Sequence, residues 1–319
     1  MTSIRKFIFI VGVGRSGTSL LQSMFASNKH VCYLPETGFI RRFLVSGLLQ
    51  KCYFLDGRDT VVDVLNSDLK FKRFGFSAEK LFVNSNDNGS FNIPDFYDRI
   101  INLFSDDTFE FIGDKDPRLI EYLLFMSSFF PSSHVINIIR DPRDVLLSKM
   151  KAKWSRSSHV WKHIFANRVQ LKLGVSAGTK NFGLRYHQII YEELIEDPER
   201  VLSNLCFDIG LPFDFAMLQF DDAAKKLVSQ EEISWKKETF GPLLVGNVDK
   251  WKEGLSPREA FLTELCCRQA FKIGGYKFAS PIKFLSLADW LWVAVGASVI
   301  ILLDWPYRLY RGYTIKRAC

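Results

Sequence analysis

A chain of 319 residues, 47% hydrophobic and 24% charged, can fold as one large α/β domain or two modest ones, and its composition excludes a disordered protein. The net charge of +7 (42 Lys+Arg, 35 Asp+Glu) favours anionic ligands or an anionic membrane surface; without a dense basic run before the C-terminus or a zinc or RNA-binding signature, it does not point to nucleic acid. Six scattered cysteines, Cys32, Cys52, Cys206, Cys266, Cys267 and Cys319, lack metal-ligand spacing and fit the reduced thiols of a cytosolic domain.

The first element is Phe7 to Leu21, FIFIVGVGRSGTSLL. Apolar residues 7–11 read as a buried parallel strand, Gly12, Gly14 and Gly17 as a loop that lets the backbone approach an anion, and Ser16 to Ser27 as a helix whose dipole adds positive potential. A nucleoside-triphosphate loop of the G-x-x-x-x-G-K-[ST] kind fits at Gly12, Gly17 and Ser19, but Thr18 stands where the lysine belongs and Arg15 sits inside the loop. The segment MTSIRKFIFIVGVG mimics a secretory leader; cleavage there would destroy the loop, so it is read as part of the fold.

HVCYL is a short strand leading to Pro35-Glu36, and residues 40–110 are helical in pattern with polar breaks. FVNSNDNGSFNIPDF reads as a surface excursion or a substrate-side lid. A strand at Phe109–Ile112 runs into Gly113-Asp114-Lys115-Asp116-Pro117-Arg118, with a helix from about Leu119 to Phe130. The β-branched strand Val135–Ile139 ends in Arg140-Asp141-Pro142-Arg143-Asp144, where Asp141 suits a helix cap and Pro142 the first turn. Arg140 then leaves a strand end and Ser148 lies in the second turn, so both side chains can converge on one anion. A further strand, Tyr186 to Tyr191, precedes a helix after Asp197-Pro198. Repeated strand–loop–helix units predict an α/β fold, a P-loop-like doubly wound parallel sheet flanked by helices, with ligand at the strands' C-terminal ends.

A strand ending in G-x-x-R-S-G-T-[ST], followed about 120 residues later by R-[DN]-P-[RK]-D-x-x-x-S, resembles the sulfotransferase family, whose members use 3′-phosphoadenosine 5′-phosphosulfate (PAPS). The likeness covers roughly Phe7 to Phe278. It implies that Arg15, Ser16, Gly17, Thr18 and Ser19 hold the 5′-phosphosulfate, and Arg140 and Ser148 the 3′-phosphate. Leu34-Pro35-Glu36-Thr37 and Lys115-Asp116-Pro117 resemble the tyrosylprotein and bacterial branch; no histidine lies near Lys115, where the cytosolic phenol and steroid enzymes would have one. Tyr191, in Ile190-Tyr191-Glu192-Glu193-Leu194, matches the tyrosine that approaches the cofactor in that family. Lys250, in Gly246-Asn247-Val248-Asp249-Lys250-Trp251, matches its late cofactor-covering loop, whereas Gly274-Gly275-Tyr276 carries no chemistry.

Sulfuryl transfer resembles phosphoryl transfer, an in-line displacement in which positioning and charge stabilisation supply most of the rate. Arg15 and Lys115 are the cations expected to meet charge on the leaving phosphate oxygen, and Glu36 is the expected base for a hydroxyl or amine acceptor. Asp116 is read either as orienting Lys115 or as a substitute base; His30, His134, His159, His163 and His187 are read as structural. No metal is required. A small-molecule kinase, which would need a lysine at position 18, and a non-catalytic PAPS- or membrane-binding protein are the alternatives. The acceptor class stays open among lipid, glycan, peptide and small molecule.

From Phe278 the composition changes, dividing residues 1–279 from a hydrophobic, aromatic-rich and basic tail at 280–319. Fourteen uncharged residues, Trp290 to Leu303, lie between Asp289 and Asp304, short of the roughly 20 that a span needs. Trp290, Trp292, Trp305, Tyr307 and Tyr310 read as interfacial aromatics, and Arg308, Arg311, Lys316 and Arg317 favour the cytosolic side. A monotopic or re-entrant anchor, a single span, and a core or oligomer helix (the last compatible with a homodimer) all fit; the expectation is a cytosol-facing enzyme held at a membrane by its tail.

Overall fold

The computed structural model describes residues 5–83, 91–105, 109–152, 155, 158–227, 245–279 and 285–318. The centre of the expected surface excursion, at 84–90, and most of 220–245 lie outside the described residues.

Five strands form one parallel sheet: β1 (Lys6–Gly12), β2 (Val31–Tyr33), β3 (Phe111–Lys115), β4 (His134–Ile139) and β5 (Tyr186–Ile190), in the order β2-β3-β1-β4-β5. The helices around it are α1 (Thr18–Ala26), α2 (Leu48–Asp56), α3 (Arg58–Ser67), α4 (Ile93–Phe104), α5 (Leu123–Phe129), α6 (Pro142–Lys151), α7 (Val160–Phe182), α8 (Tyr191–Glu196) and α9 (Pro198–Ile209). After β1 the chain turns towards β2; after β4 it turns the other way, towards β5. The crevice between β1 and β4 is therefore the topological switch point, the place where open parallel sheets bind ligands.

Alternation along β1 divides the core in two. Ile8 and Ile10 pack with Leu20, Leu21, Met24 and Phe25 of α1 and with Leu202 and Leu205 of α9. Phe9 and Val11 face the other way, into a large aromatic cluster with Phe39, Phe71, Phe96, Tyr97 and Phe130. Much of the high phenylalanine content goes into this second face.

Two expected boundaries differ. β3 begins at Phe111 and continues through Gly113, Asp114 and Lys115, which the sequence reading placed in the turn. Each of these residues has a reason to be in the sheet. Gly113 leaves room for the Tyr33 ring, which a Cβ would overlap; the Tyr97 hydroxyl donates to Asp114 Oδ2 at 2.9 Å; and Lys115 reaches past the sheet end to a carboxylate and a hydroxyl. The expected helix at 119–130 is a 3-10 turn, Pro117–Tyr122, capped by Asp116, followed by the short α5.

The C-terminal helix, Leu287–Ala318, is 32 residues long and has the length and composition to cross a membrane. In the fold it lies against α7 and the helix Pro257–Cys266: Val293, Ala297 and Ile300 pack with Leu146, Ile164 and Leu262. Ile315 reaches the aromatic cluster.

Burial raises the Asp114 carboxyl to about 7, partly opposed by its hydrogen bond from Tyr97. The folded state then binds a proton more tightly than the unfolded chain, so this group contributes less stability as pH rises from about 4 to about 7. Replacing Asp114 by Asn keeps an acceptor for Tyr97 and removes the titration. Thermal unfolding followed against pH should show Asp114→Asn gaining on the wild type across that range, and level above it.

Candidate active site

The loop between β1 and α1 is shaped by two left-handed residues, Arg15 (φ 79°) and Gly17 (φ 97°). Gly17 is the N-cap of α1 and no side chain caps the helix, so the first-turn N–H groups face the crevice. A Cβ at Gly17 would run into the Tyr191 ring. Thr18, at the missing-lysine position, is buried; Ser16 is also buried, its N–H donating to the Val13 carbonyl at 3.0 Å.

Arg15 joins the two motifs. Its Nε donates to Ser148 Oγ of α6 at 2.9 Å, and its carbonyl accepts from Arg140 Nη1 at 3.2 Å. Arg140 also donates to the Asn247 carbonyl at 2.5 Å and lies over the Tyr191 ring at 4.4 Å, while its buried Nε has no hydrogen-bond partner among the described residues. Loop, strand end, Ser148 and Tyr191 therefore converge at the switch point. Lys250, exposed on the late loop, donates to Asn247 Oδ1 and is one residue removed from Arg140.

At the end of β3 the Lys115 side chain is almost completely buried, forms an ion pair with Glu36, and donates to Ser19 Oγ at 3.2 Å. A buried ammonium is tolerable only with such partners. The Glu36 side chain is 21% exposed, open to a reactant from solvent. Its carbonyl is held by Arg73 Nη1 at 2.9 Å, and Arg73 Nη2 reaches the Leu227 carbonyl at 2.6 Å. The two cations expected to share one task thus have different partners: Arg15 turns to Ser148, and Lys115 to Ser19 and Glu36.

Asp116, read as orienting Lys115 or as a substitute base, has described partners of its own. Its Oδ2 accepts from Arg41 Nε at 2.7 Å and its Oδ1 from the Arg118 N–H at 3.0 Å. The histidines make structural contacts: His134 and His187 pair at 3.1 Å near the sheet's N-terminal edge, His159 caps α7, His163 pairs with Ser155, and the His30 N–H meets Asn28.

The rest of the RDPRD motif builds the walls. Asp141 caps α6 and pairs with Arg143, whose guanidinium also meets Glu264 at 2.7 Å and lies 3.7 Å from the Trp251 ring. Asp144 accepts the Asp249 and Trp251 N–H groups at 2.9 and 2.8 Å, tying the late loop to α6. Burial raises the Asp144 carboxyl, partly offset by Arg140 and these N–H groups. Glu192 accepts from the Asp141 N–H and from the Tyr276 hydroxyl, so Tyr276 braces the site. The sequence reading had assigned no role to Asp144, Glu192 or Arg73. Asp144 and Glu192 lay inside motifs already singled out; Arg73 lay in a stretch with no recognisable pattern.

A glycine-bearing loop after the central strand of a parallel sheet, with an arginine at the neighbouring strand end, is a geometry suited to holding anionic groups. The model of the sulfotransferase family matches residues 8–215, and the chain belongs to that family. Among solved structures, the sulfotransferase domain of the Synechococcus PCC 7002 olefin synthase aligns with a TM-score of 0.62 at 21% identity, over 87% of this chain and 98% of that one. The sulfotransferase domain from the curacin biosynthetic pathway aligns with a TM-score of 0.57 at 19% identity, over 86% and 99%. At these identities the likeness is one of fold. A curated relative, an uncharacterized protein of Aquifex aeolicus, is 23% identical over 252 residues, or 77% of this chain and 30% of that protein's length.

Removing the Asp144 carboxylate leaves two buried or half-buried N–H groups without their acceptor. Asp144→Ala should therefore lower unfolding free energy by about 2–4 kcal/mol, measured by denaturant titration, with Asp144→Asn losing less.

Proposed function

We propose that this sulfotransferase moves the sulfuryl group of PAPS to a hydroxyl or amine acceptor by in-line displacement, with Glu36 as base. One observation carries the reading: the buried Lys115 ammonium joins a hydroxyl of the phosphate-loop helix to a partly exposed carboxylate. PAPS would supply an activated sulfuryl group on a phosphate leaving group. Arg15, Ser16, Gly17, Thr18 and Ser19 would hold its phosphosulfate end. Arg140 and Ser148 would hold its 3′-phosphate, with Tyr191 alongside and Lys250 on the covering loop. Arg140 Nε, buried without an acceptor among the described residues, and the uncapped first turn of α1 are donors suited to such phosphates.

In this scheme Lys115 stabilises charge on the departing phosphate oxygen, and its ion-pair partner Glu36 accepts the proton of the attacking hydroxyl or amine. The acceptor enters where Glu36 is exposed. Catalysis belongs to residues 1–279; residues 280–319 hold the enzyme on the cytoplasmic side of a membrane, where a lipid or other amphiphilic acceptor would be at hand. Thr18 in place of the loop lysine weighs against a kinase.

The test is transfer of label from sulfur-labelled PAPS into a cell extract of lipids, glycans and peptides. Lys115→Ala and Glu36→Ala should each lower turnover at least 100-fold, with Glu36→Ala still binding 3′-phosphoadenosine 5′-phosphate (PAP) within threefold of the wild type. Near-wild-type turnover in both variants would remove these residues from the chemistry.

A further inference from the structure

The outer face of the C-terminal helix is unlike the rest of the protein's surface. Its inner stripe, Val293, Ala297, Ile300, Asp304 and Ile315, is buried. On the opposite stripe Leu291, Val295, Leu302, Trp305 and Leu309 are 51–73% exposed, with Ile301, Leu303 and Tyr310 beside them. From Trp290 to Tyr307 the only ionisable side chain besides Tyr307 is Asp304, which points inward, so the exposed face carries no charge over about 27 Å of helix.

The inner side is a polar staple. Asp304 accepts from Arg168 at 2.8 Å, Lys172 at 2.5 Å and Arg308 at 2.7 Å. Tyr307 donates to Glu121 at 2.7 Å, and Arg311 meets Glu121 at 2.9 Å and the Tyr122 hydroxyl at 2.7 Å. A helix standing through a bilayer would have to pull Asp304 from Arg168 and Lys172 and leave Glu121 buried without Arg311 and Tyr307. A helix lying in the plane of a surface keeps every one of these contacts.

We propose that the helix Leu287–Ala318 binds an anionic lipid bilayer in-plane, its outer stripe sunk at the acyl boundary and the domain stapled to its inner face. Charge favours anionic lipid: Lys316 and Arg317 are exposed after the apolar stretch, on a chain of net charge +7. Trp290, Trp305 and Tyr310 supply the amphipathic rings that favour the headgroup level. This inference rests on the membrane placement proposed above, not on the transfer chemistry.

The experiment is flotation of the full chain, carrying a C-terminal epitope, with vesicles of phosphatidylcholine alone or with phosphatidylglycerol. Protease is then added outside, and light scattering is run without lipid. Binding should be at least tenfold stronger to the anionic vesicles, the epitope should be cut, and Leu291→Asp with Leu302→Asp should lower binding at least tenfold while thermal unfolding and PAP binding stay unchanged. A protected epitope would show a span and overturn the in-plane geometry alone. Absence of flotation would overturn the membrane placement with it, leaving the transfer reading to its own assay. A stable dimer that the double variant dissociates would assign the face to a second copy.

Discussion

Arg15 is the residue on which the site depends. Its left-handed backbone, which costs a non-glycine residue about 1–2 kcal/mol, turns the carbonyl towards Arg140 and sends the side chain to Ser148. One residue thereby ties β1, β4 and α6 together at the point where the strand order reverses. The contact to Arg140 passes on to Asn247 and the late loop, which Asp144 holds from the same motif. Tyr191 lies under Arg140 and against Gly17, so the beginning of α8 is fitted to the same centre.

Lys115 sets the chemistry beside that clasp. β3 carries Asp and Lys at its end inside the core and sends them to opposite faces: Asp114 Oδ2 meets Tyr97 on the aromatic side, and Lys115 meets Ser19 and Glu36 on the α1 side. The second pairing places Glu36 beside the loop between β1 and α1. Arg73 holds the Glu36 carbonyl, and its other end reaches Leu227. Residues 228–244 lie outside the described residues.

The parallel sheet, its strands and the nearness of Arg140 and Ser148 were legible because each rests on local pattern: apolar runs, glycines, and a capped helix start; that Arg15 and Tyr191 belong beside them was implied by the resemblance to the sulfotransferase family. Less legible was what depends on packing at long range. The end of β3 was read as turn because Gly-Asp-Lys has little strand propensity, and only Tyr33, Tyr97 and Glu36, distant in sequence, explain its place in the sheet. Asp116 was read as orienting Lys115 or as a substitute base; its bond from Arg41, distant in sequence, was not legible. Asp304 marked one end of the apolar tail; the structure makes it the centre of a four-residue ionic cluster that docks the helix on the domain.

The account makes the phosphate loop and the Arg140–Ser148 pair a single site for the two ends of one nucleotide. Calorimetric titration of PAP, AMP and ATP into the wild type and Arg140→Ala tests this most directly. The wild type should bind PAP at least tenfold more tightly than AMP or ATP, and Arg140→Ala should lose that preference through weaker PAP binding, leaving AMP little changed. Equal affinity for PAP and AMP in the wild type, or a PAP preference that survives the substitution, would contradict it.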